Sequence, residues 1–232
     1  MSILVYNLEL CGMQKPIVVY CYDAYCGWCF GFSKVITRIY EEYKELFEFE
    51  VLSGGMIPLE SAHHIGKISG FIKGSYQKVE DLTGIKFGED YLWHVNNPEL
   101  SDWHPHSEKP AIALAVFRDY HPHEEILFAA DLQHALYGEG RDLTDNEAYR
   151  HLLEKYDIPA EEFYEKLQSE EYKDRAHHDF SLVKQLQVTG FPAVLLQVDD
   201  FKFYLLARGY TDYDTMKKTM DNVIAELSLQ VK

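Results

Sequence analysis

After position 29 the 232-residue chain contains no cysteine. The four it has, Cys11, Cys21, Cys26 and Cys29, crowd into the first segment. A disulfide framework spreads its cysteines to join distant segments, so this clustering excludes one and indicates chemistry at a single place. Positive charge is scarce as well. Lys and Arg number 22 against 38 Asp and Glu, for a formal net charge of −16. A chain this acidic repels nucleic acid and anionic membrane surfaces, so neither is expected as a partner. Also missing is any run of the roughly 18 to 20 apolar residues that a transmembrane helix needs. The N-terminus has no basic region, Glu9 interrupts its apolar residues early, and no small-residue cleavage site follows. The expectation is a cytoplasmic protein. There is no internal repeat and no low-complexity tract.

What is present is an ordinary globular composition, 47% hydrophobic and 26% charged. Ile17-Val18-Val19-Tyr20-Cys21-Tyr22, bounded by Pro16 and Asp23, has the β-branched and aromatic content of a buried strand. Apolar residues at Phe32, Val35, Ile36, Ile39, Tyr40 and Tyr43 then recur at helical spacing, with charged residues between them. Phe47 to Leu52 alternates as a second strand and Ser53-Gly54-Gly55 ends it. Strand signals vanish from about 60 to 174. Helices are expected over Ala111 to Tyr120, Glu124 to Tyr137, Asn146 to Tyr156 and Ala160 to Ser169, with another from Ala176 to Gln187. Strands return at Ala193 to Val198 and Phe201 to Ala207, and Thr211-Asp212 opens a last amphipathic helix through Met216, Met220, Val223, Ile224 and Leu227. The predicted organisation is an α/β domain built from 1–59 and 175–232, interrupted by an all-helical insertion over 60–174.

Cys26-Gly27-Trp28-Cys29 lies where the first strand turns into the first helix. Two intervening residues bring the cysteines onto one helical turn, within disulfide reach. The first cysteine faces the unsatisfied N–H groups and positive end of the helix, which favours thiolate, the nucleophile of disulfide exchange. The second lies deeper and resolves the mixed disulfide. Zinc sites use the same spacing, but no second pair completes a tetrahedron, and the strand-to-helix setting favours redox chemistry. A second signal is Gly190-Phe191-Pro192-Ala193, just before a buried strand. Proline is tolerated where a strand begins, and a cis bond there would turn the Phe191 backbone outward. Other residues read more plainly. Cys21 reads as a small buried hydrophobe. Histidines pair at His63-His64, His104-Pro105-His106, His121-Pro122-His123 and His177-His178, a pattern a metal site could use, but the prolines of the two triplets indicate loops with solvated histidines, so no metal is expected. Tyr91, Trp93 and Trp103 read as core of the helical region, with a groove for an apolar substrate as the other use of such aromatics.

These residues, together with the helical stretch Leu132-Gln133-His134-Ala135-Leu136-Tyr137 and the Gly138 to Asp145 segment after it, resemble the thioredoxin superfamily. Within it they are similar to the DsbA-like family with a helical insertion. The resemblance spans nearly the whole chain. It implies a thioredoxin-like fold and a protein disulfide reductase or isomerase acting through a Cys26–Cys29 dithiol/disulfide, with no further cofactor. It implies a cis-Pro192 beside that pair, and substrate contacts from Gly27, Trp28, Gly190 and Phe191. The implied partners are proteins or peptides carrying thiols or disulfides, and glutathione. The sequence departs from the pattern at Tyr20, which stands where many thioredoxin-like proteins bury a carboxylate to relay the second cysteine's proton; Asp23, nearer the motif, is expected in the turn. Trp28 is not the histidine of the strong oxidases, so a Cys26 pKa nearer to about 7 than to about 3.5 is expected. Two alternatives stand beside this reading. Glutathione-dependent transferases and isomerases share the architecture but typically carry serine in place of the cysteine pair, and a thioredoxin-like scaffold can serve as a non-enzymatic adaptor.

Overall fold

The computed structural model describes residues 15–230, so Cys11 and the N-terminal segment lie outside the described residues. The first half of the α/β unit is β1 (Ile17–Tyr22), α1 (Gly27–Tyr43) and β2 (Glu48–Ser53). Seven α-helices follow among the described residues: α2 (Gly66–Thr83), α3 (Glu89–Asn96), α4 (Glu108–Phe117), α5 (Glu125–Tyr137), α6 (Arg150–Lys155), α7 (Ala160–Leu167) and α8 (Glu170–Gln185). The chain then returns as β3 (Ala193–Gln197), β4 (Phe203–Arg208) and α9 (Tyr213–Gln230). The four strands form one sheet in the order β2-β1-β3-β4, parallel between β1 and β2 and antiparallel elsewhere.

Strand β1 is buried on both faces, which is why it reads as an unbroken apolar run. Val18, Tyr20 and Tyr22 face the main core, shared with α1 and the inserted helices. Val19 and Cys21 face a second, smaller core with Leu52, Val183, Ala193 and Leu195. The apolar stripe expected on α1 is the buried one: Phe32, Val35, Ile36, Ile39, Tyr40 and Tyr43 are all inside.

Several boundaries differ from the sequence reading, among them α4, which runs three residues earlier than expected, and α6, which is preceded by a 3-10 turn over Asn146–Tyr149; two have a visible cause. Helix α8 begins at Glu170 because Ser169 is its N-cap: the Ser169 hydroxyl accepts from the Glu171 N–H, and Glu170 and Glu171 supply negative charge to the first turn. The helix consequently runs unbroken across position 174. Strand β4 begins at Phe203 because the Asp199 carboxylate accepts from the N–H groups of Phe201 and Lys202, closing a turn that leaves Phe201 almost wholly exposed. The sequence reading also named no element between 60 and 107, where α2 and α3 form.

Strand β2 is an edge strand, yet its outer backbone groups are buried. Charged side chains from the insertion and from α8 satisfy them. The Val51 N–H donates to Glu125 Oε2 at 3.0 Å, and the Ser53 N–H donates to Asp179 Oδ2 at 3.4 Å. Arg118 donates to the Val51 carbonyl and, through both terminal nitrogens, to Asp179 at 2.8 and 3.2 Å. Its Nε lies 3.6 Å from Glu125. This ladder of side chains closes an edge that would otherwise be open to pairing, and binds the insertion to the sheet. Arg118→Met is expected to leave buried carboxylates uncompensated and to cost about 3 to 5 kcal/mol of unfolding free energy in urea titrations; a loss below about 1 kcal/mol would show that the ladder does not hold the edge.

Candidate active site

Cys26 is the N-cap residue of α1, in extended conformation (φ −91°, ψ 108°), and Cys29 sits in the first turn. Both are free thiols; Cys29 is fully buried and Cys26 is 7% exposed. Their hydrogen bonds separate them in acidity. The Cys29 thiol donates to the Cys26 sulfur, and backbone N–H groups of Cys29 and Trp28 aim at the same atom. These hold the Cys26 thiol below its ordinary pKa, against the opposing effects of burial and of Asp23. Burial pushes the Cys29 thiol far up, and its role as donor to Cys26 adds to this. The arrangement makes Cys26 the more acidic thiol of the pair and Cys29 the one that holds its proton more firmly.

The Phe191–Pro192 peptide bond is cis. The Phe191 carbonyl faces the pair and accepts a long hydrogen bond from the Cys26 Sγ at 3.6 Å. The Phe191 ring lies against Gly54, where a Cβ would stand only 2.0 Å from its Cζ, so the glycine after β2 is what allows this loop to approach.

Asp23 lies in the turn between β1 and α1, as expected, but it is buried, at 1% exposure. Its carboxylate accepts from the Tyr25 N–H (2.9 Å), the Met56 N–H (2.7 Å) and the Ser107 hydroxyl (3.0 Å). Burial raises its pKa, and these donors oppose the rise. Gln133, buried on α5, grips the same turn from the other side: its Nε2 donates to the carbonyls of Asp23 (3.1 Å) and Cys26 (3.4 Å). At the position where the family pattern has a carboxylate, the Tyr20 hydroxyl is buried beside the Cys29 thiol; burial first, then the two neighbouring cysteines, push its phenol far up.

The family profile of the DSBA-like thioredoxin domain matches residues 104–221, half of the chain. The chain belongs to this family. The matched segment begins beyond Cys29, so the cysteine pair lies outside it. No curated protein matches the sequence. Among solved structures, a candidate protein disulfide isomerase from Nitrosomonas europaea superposes with a TM-score of 0.77 at 24% identity, covering 92% of this chain and 99% of that one. The cytosolic disulfide reductase DsbM from Pseudomonas aeruginosa, also solved with GSH, gives 0.67 at 23%, over 93% and 100%. A 2-hydroxychromene-2-carboxylate isomerase gives 0.59 at 13%, over 92% and 97%. These likenesses establish the fold of this DSBA-like protein: α/β and thioredoxin-like, with a helical insertion.

The DSBA-like chain brings Cys26, Cys29, Phe191 and Pro192 together at one end of the sheet. Gly27 and Trp28 lie between the two cysteines at the start of α1, while Gly190 is exposed with no heavy atom near its Cβ position. Cys21 is on the opposite face of β1 with its thiol pushed up to about 12, chiefly by burial. The His64 and His104 rings meet edge to face with 5.2 Å between centroids, but among the described residues no group of three His, Cys, Asp or Glu is arranged to hold a metal ion. Sequence reasoning missed Gln133 and Ser107. The only signal available was a polar residue on an otherwise apolar helical face, Gln133 between Leu132 and Ala135-Leu136.

Two outcomes follow from these contacts. Asp23→Asn removes a negative charge beside Cys26, so thiolate absorbance should titrate at lower pH than in the parent protein; an unchanged or upward-shifted titration would contradict the electrostatic role. Gln133→Leu removes two hydrogen bonds from the turn and should lower stability by about 1 to 2 kcal/mol in denaturant titrations, with slower thiol exchange, since each carbonyl retains one backbone donor.

Proposed function

We propose that the protein is a thiol–disulfide oxidoreductase of the reductase or isomerase type, with Cys26 as nucleophile and Cys29 as resolving thiol. The observation that carries this is the opposite displacement of the two thiols, Cys26 down and Cys29 up, at the N-terminus of one helix. The Cys26 thiolate attacks one sulfur of a substrate disulfide. A Cys26–substrate bond forms as the substrate S–S bond breaks, and the other half leaves as thiolate. Cys29 then loses its proton and attacks the Cys26 sulfur. The second substrate half is released as a thiol, leaving a Cys26–Cys29 disulfide. The substrate gains two electrons and the pair loses two; a thiol donor such as glutathione restores the dithiol. The Phe191 carbonyl already faces the attacking sulfur, which supports a substrate-binding role for Phe191 next to a catalytic Pro192.

A reducing, cytoplasmic setting suits reduction or isomerisation. The likeness in fold to a cytosolic disulfide reductase agrees with that setting. No helix among the described residues is long and apolar enough to cross a membrane. Protein and peptide disulfides, with glutathione as reductant, are the partners this chemistry takes. The likeness in fold to the chromene-carboxylate isomerase keeps a small-molecule glutathione-dependent reaction as the second reading; two free thiols at the site favour exchange over it.

The test is equilibration of the pair in glutathione buffers. A reversible disulfide with a potential of about −230 to −270 mV is expected. Cys26→Ser should abolish exchange, and Cys29→Ser should accumulate a mixed disulfide at Cys26. Failure of any reversible disulfide to form would end the redox reading, and a potential near −120 mV would make the protein an oxidase.

A further inference from the structure

Next to the cysteine pair the fold leaves a cavity of about 240 Å³. Tyr25, Gly27 and Trp28, the residues on either side of Cys26 in the chain, form part of its wall. Ile72 and Tyr76 of α2 and Trp103 contribute other parts. No Asp, Glu, Lys, Arg or His lines it. The Ser75 hydroxyl, also in the lining, is spent on its own helix, donating to the Phe71 carbonyl at 2.8 Å. A charged group entering would be stripped of water with no partner, a large cost; an apolar group would gain from the transfer.

Two observations distinguish this cavity from a packing defect. It is roomy: an engineered apolar cavity of about 150 Å³ binds benzene, so the present one holds an aromatic ring with a short linker. It reaches the surface, since Phe71 and Met56 belong to the lining and are 78% and 43% exposed.

We propose that this cavity is the specificity pocket of the exchange reaction, taking an uncharged aromatic group carried within a bond or two of the substrate sulfur that Cys26 attacks. The inference rests on the reading of Cys26–Cys29 as an exchange pair and adds the substrate class to it. With the mixed disulfide of glutathione and benzyl mercaptan, Cys26 thiolate forms a bond to the benzyl-bearing sulfur, the substrate S–S bond breaks, and glutathione leaves as thiolate. Cys29 then loses its proton and displaces benzyl mercaptan, so the substrate is reduced by two electrons as the pair is oxidised. The aromatic group has two sources, a small organic disulfide or an aromatic side chain beside a cysteine in a peptide.

The experiment compares single-turnover rates of the reduced protein with two matched pairs. One pair is the glutathione mixed disulfides of benzyl mercaptan and of 2-mercaptoethanol. The other is a peptide disulfide with Phe or Gly beside its cysteine. A preference of at least about tenfold for the aromatic member is expected, the scale of burying one such group. Preference in the first pair identifies a small-molecule source, and preference confined to the second identifies a peptide. Ser75→Trp, which fills the cavity from α2, should cut the preference to about twofold or less. Ratios near one in both pairs, with exchange intact, overturn the pocket and leave the redox reading standing. A second readout is independent of exchange: two of the three tryptophans, Trp28 and Trp103, stand in the wall, so the fluorescence of Cys26→Ser should respond saturably to benzyl alcohol. A saturable response without exchange in the parent protein would sink the redox reading and retain an aromatic site; neither response would sink both.

Discussion

The carboxylate of Asp23 holds three separate parts of the chain in one place. Its donors come from the turn that carries the cysteines, from the loop after β2 and from the residue that opens α4. A buried carboxylate is expensive unless hydrogen bonds compensate it, and those donors do so. The turn is thereby fixed against both the sheet and the insertion. The cost is electrostatic, because the same charge stands beside two thiols, one of which must ionise. The chain tolerates it because the N–H groups at the start of α1 and the Cys29 thiol outweigh it at the Cys26 sulfur. Position and acidity at this site are consequently not independent properties.

The second junction between sheet and insertion is also ionic. Arg118, Asp179 and Glu125 stand in for the strand that β2 does not have. They make the insertion a cover for an exposed edge as well as a wall for the site. Gln133 completes the attachment on the opposite side. Through it α5 reads the backbone of the redox turn directly, so rearrangement of the helical region reaches the cysteines by way of two carbonyl groups.

Much of this was legible in the sequence, for a physical reason. Strand β1 and helix α1 have strong periodicity and a motif at their junction, and the bounds of β1 are those expected from Pro16 and Asp23. The cis bond at Pro192 was expected from Gly190-Phe191-Pro192-Ala193. What escaped was information that exists only in three dimensions. Asp23, Ser107 and Gln133 are distant in sequence, and no period links them. The long α2 is weakly patterned because much of it is exposed and its inner face borders a cavity instead of a packed core. Tyr91 and Trp103 are core residues, as read, and also line that cavity; Trp93 does neither, being 45% exposed. Ser169 ends one helix in composition and caps the next in fact, a distinction that only the Glu171 N–H settles.

The alternation of β1 has a consequence for redox chemistry. Successive side chains leave a strand on opposite sides, so Tyr20 and Tyr22 face Cys29 while Cys21 points into the core beneath α8. The sheet therefore works as an insulator between thiols that are near neighbours in sequence. A slip of one residue in register would deliver Cys21 to the reactive side and offer the mixed disulfide a third sulfur to rearrange onto. Hydrophobic pairing across β2 and β3 thus does more than assemble a core: it keeps Cys21 apart from the Cys26–Cys29 pair.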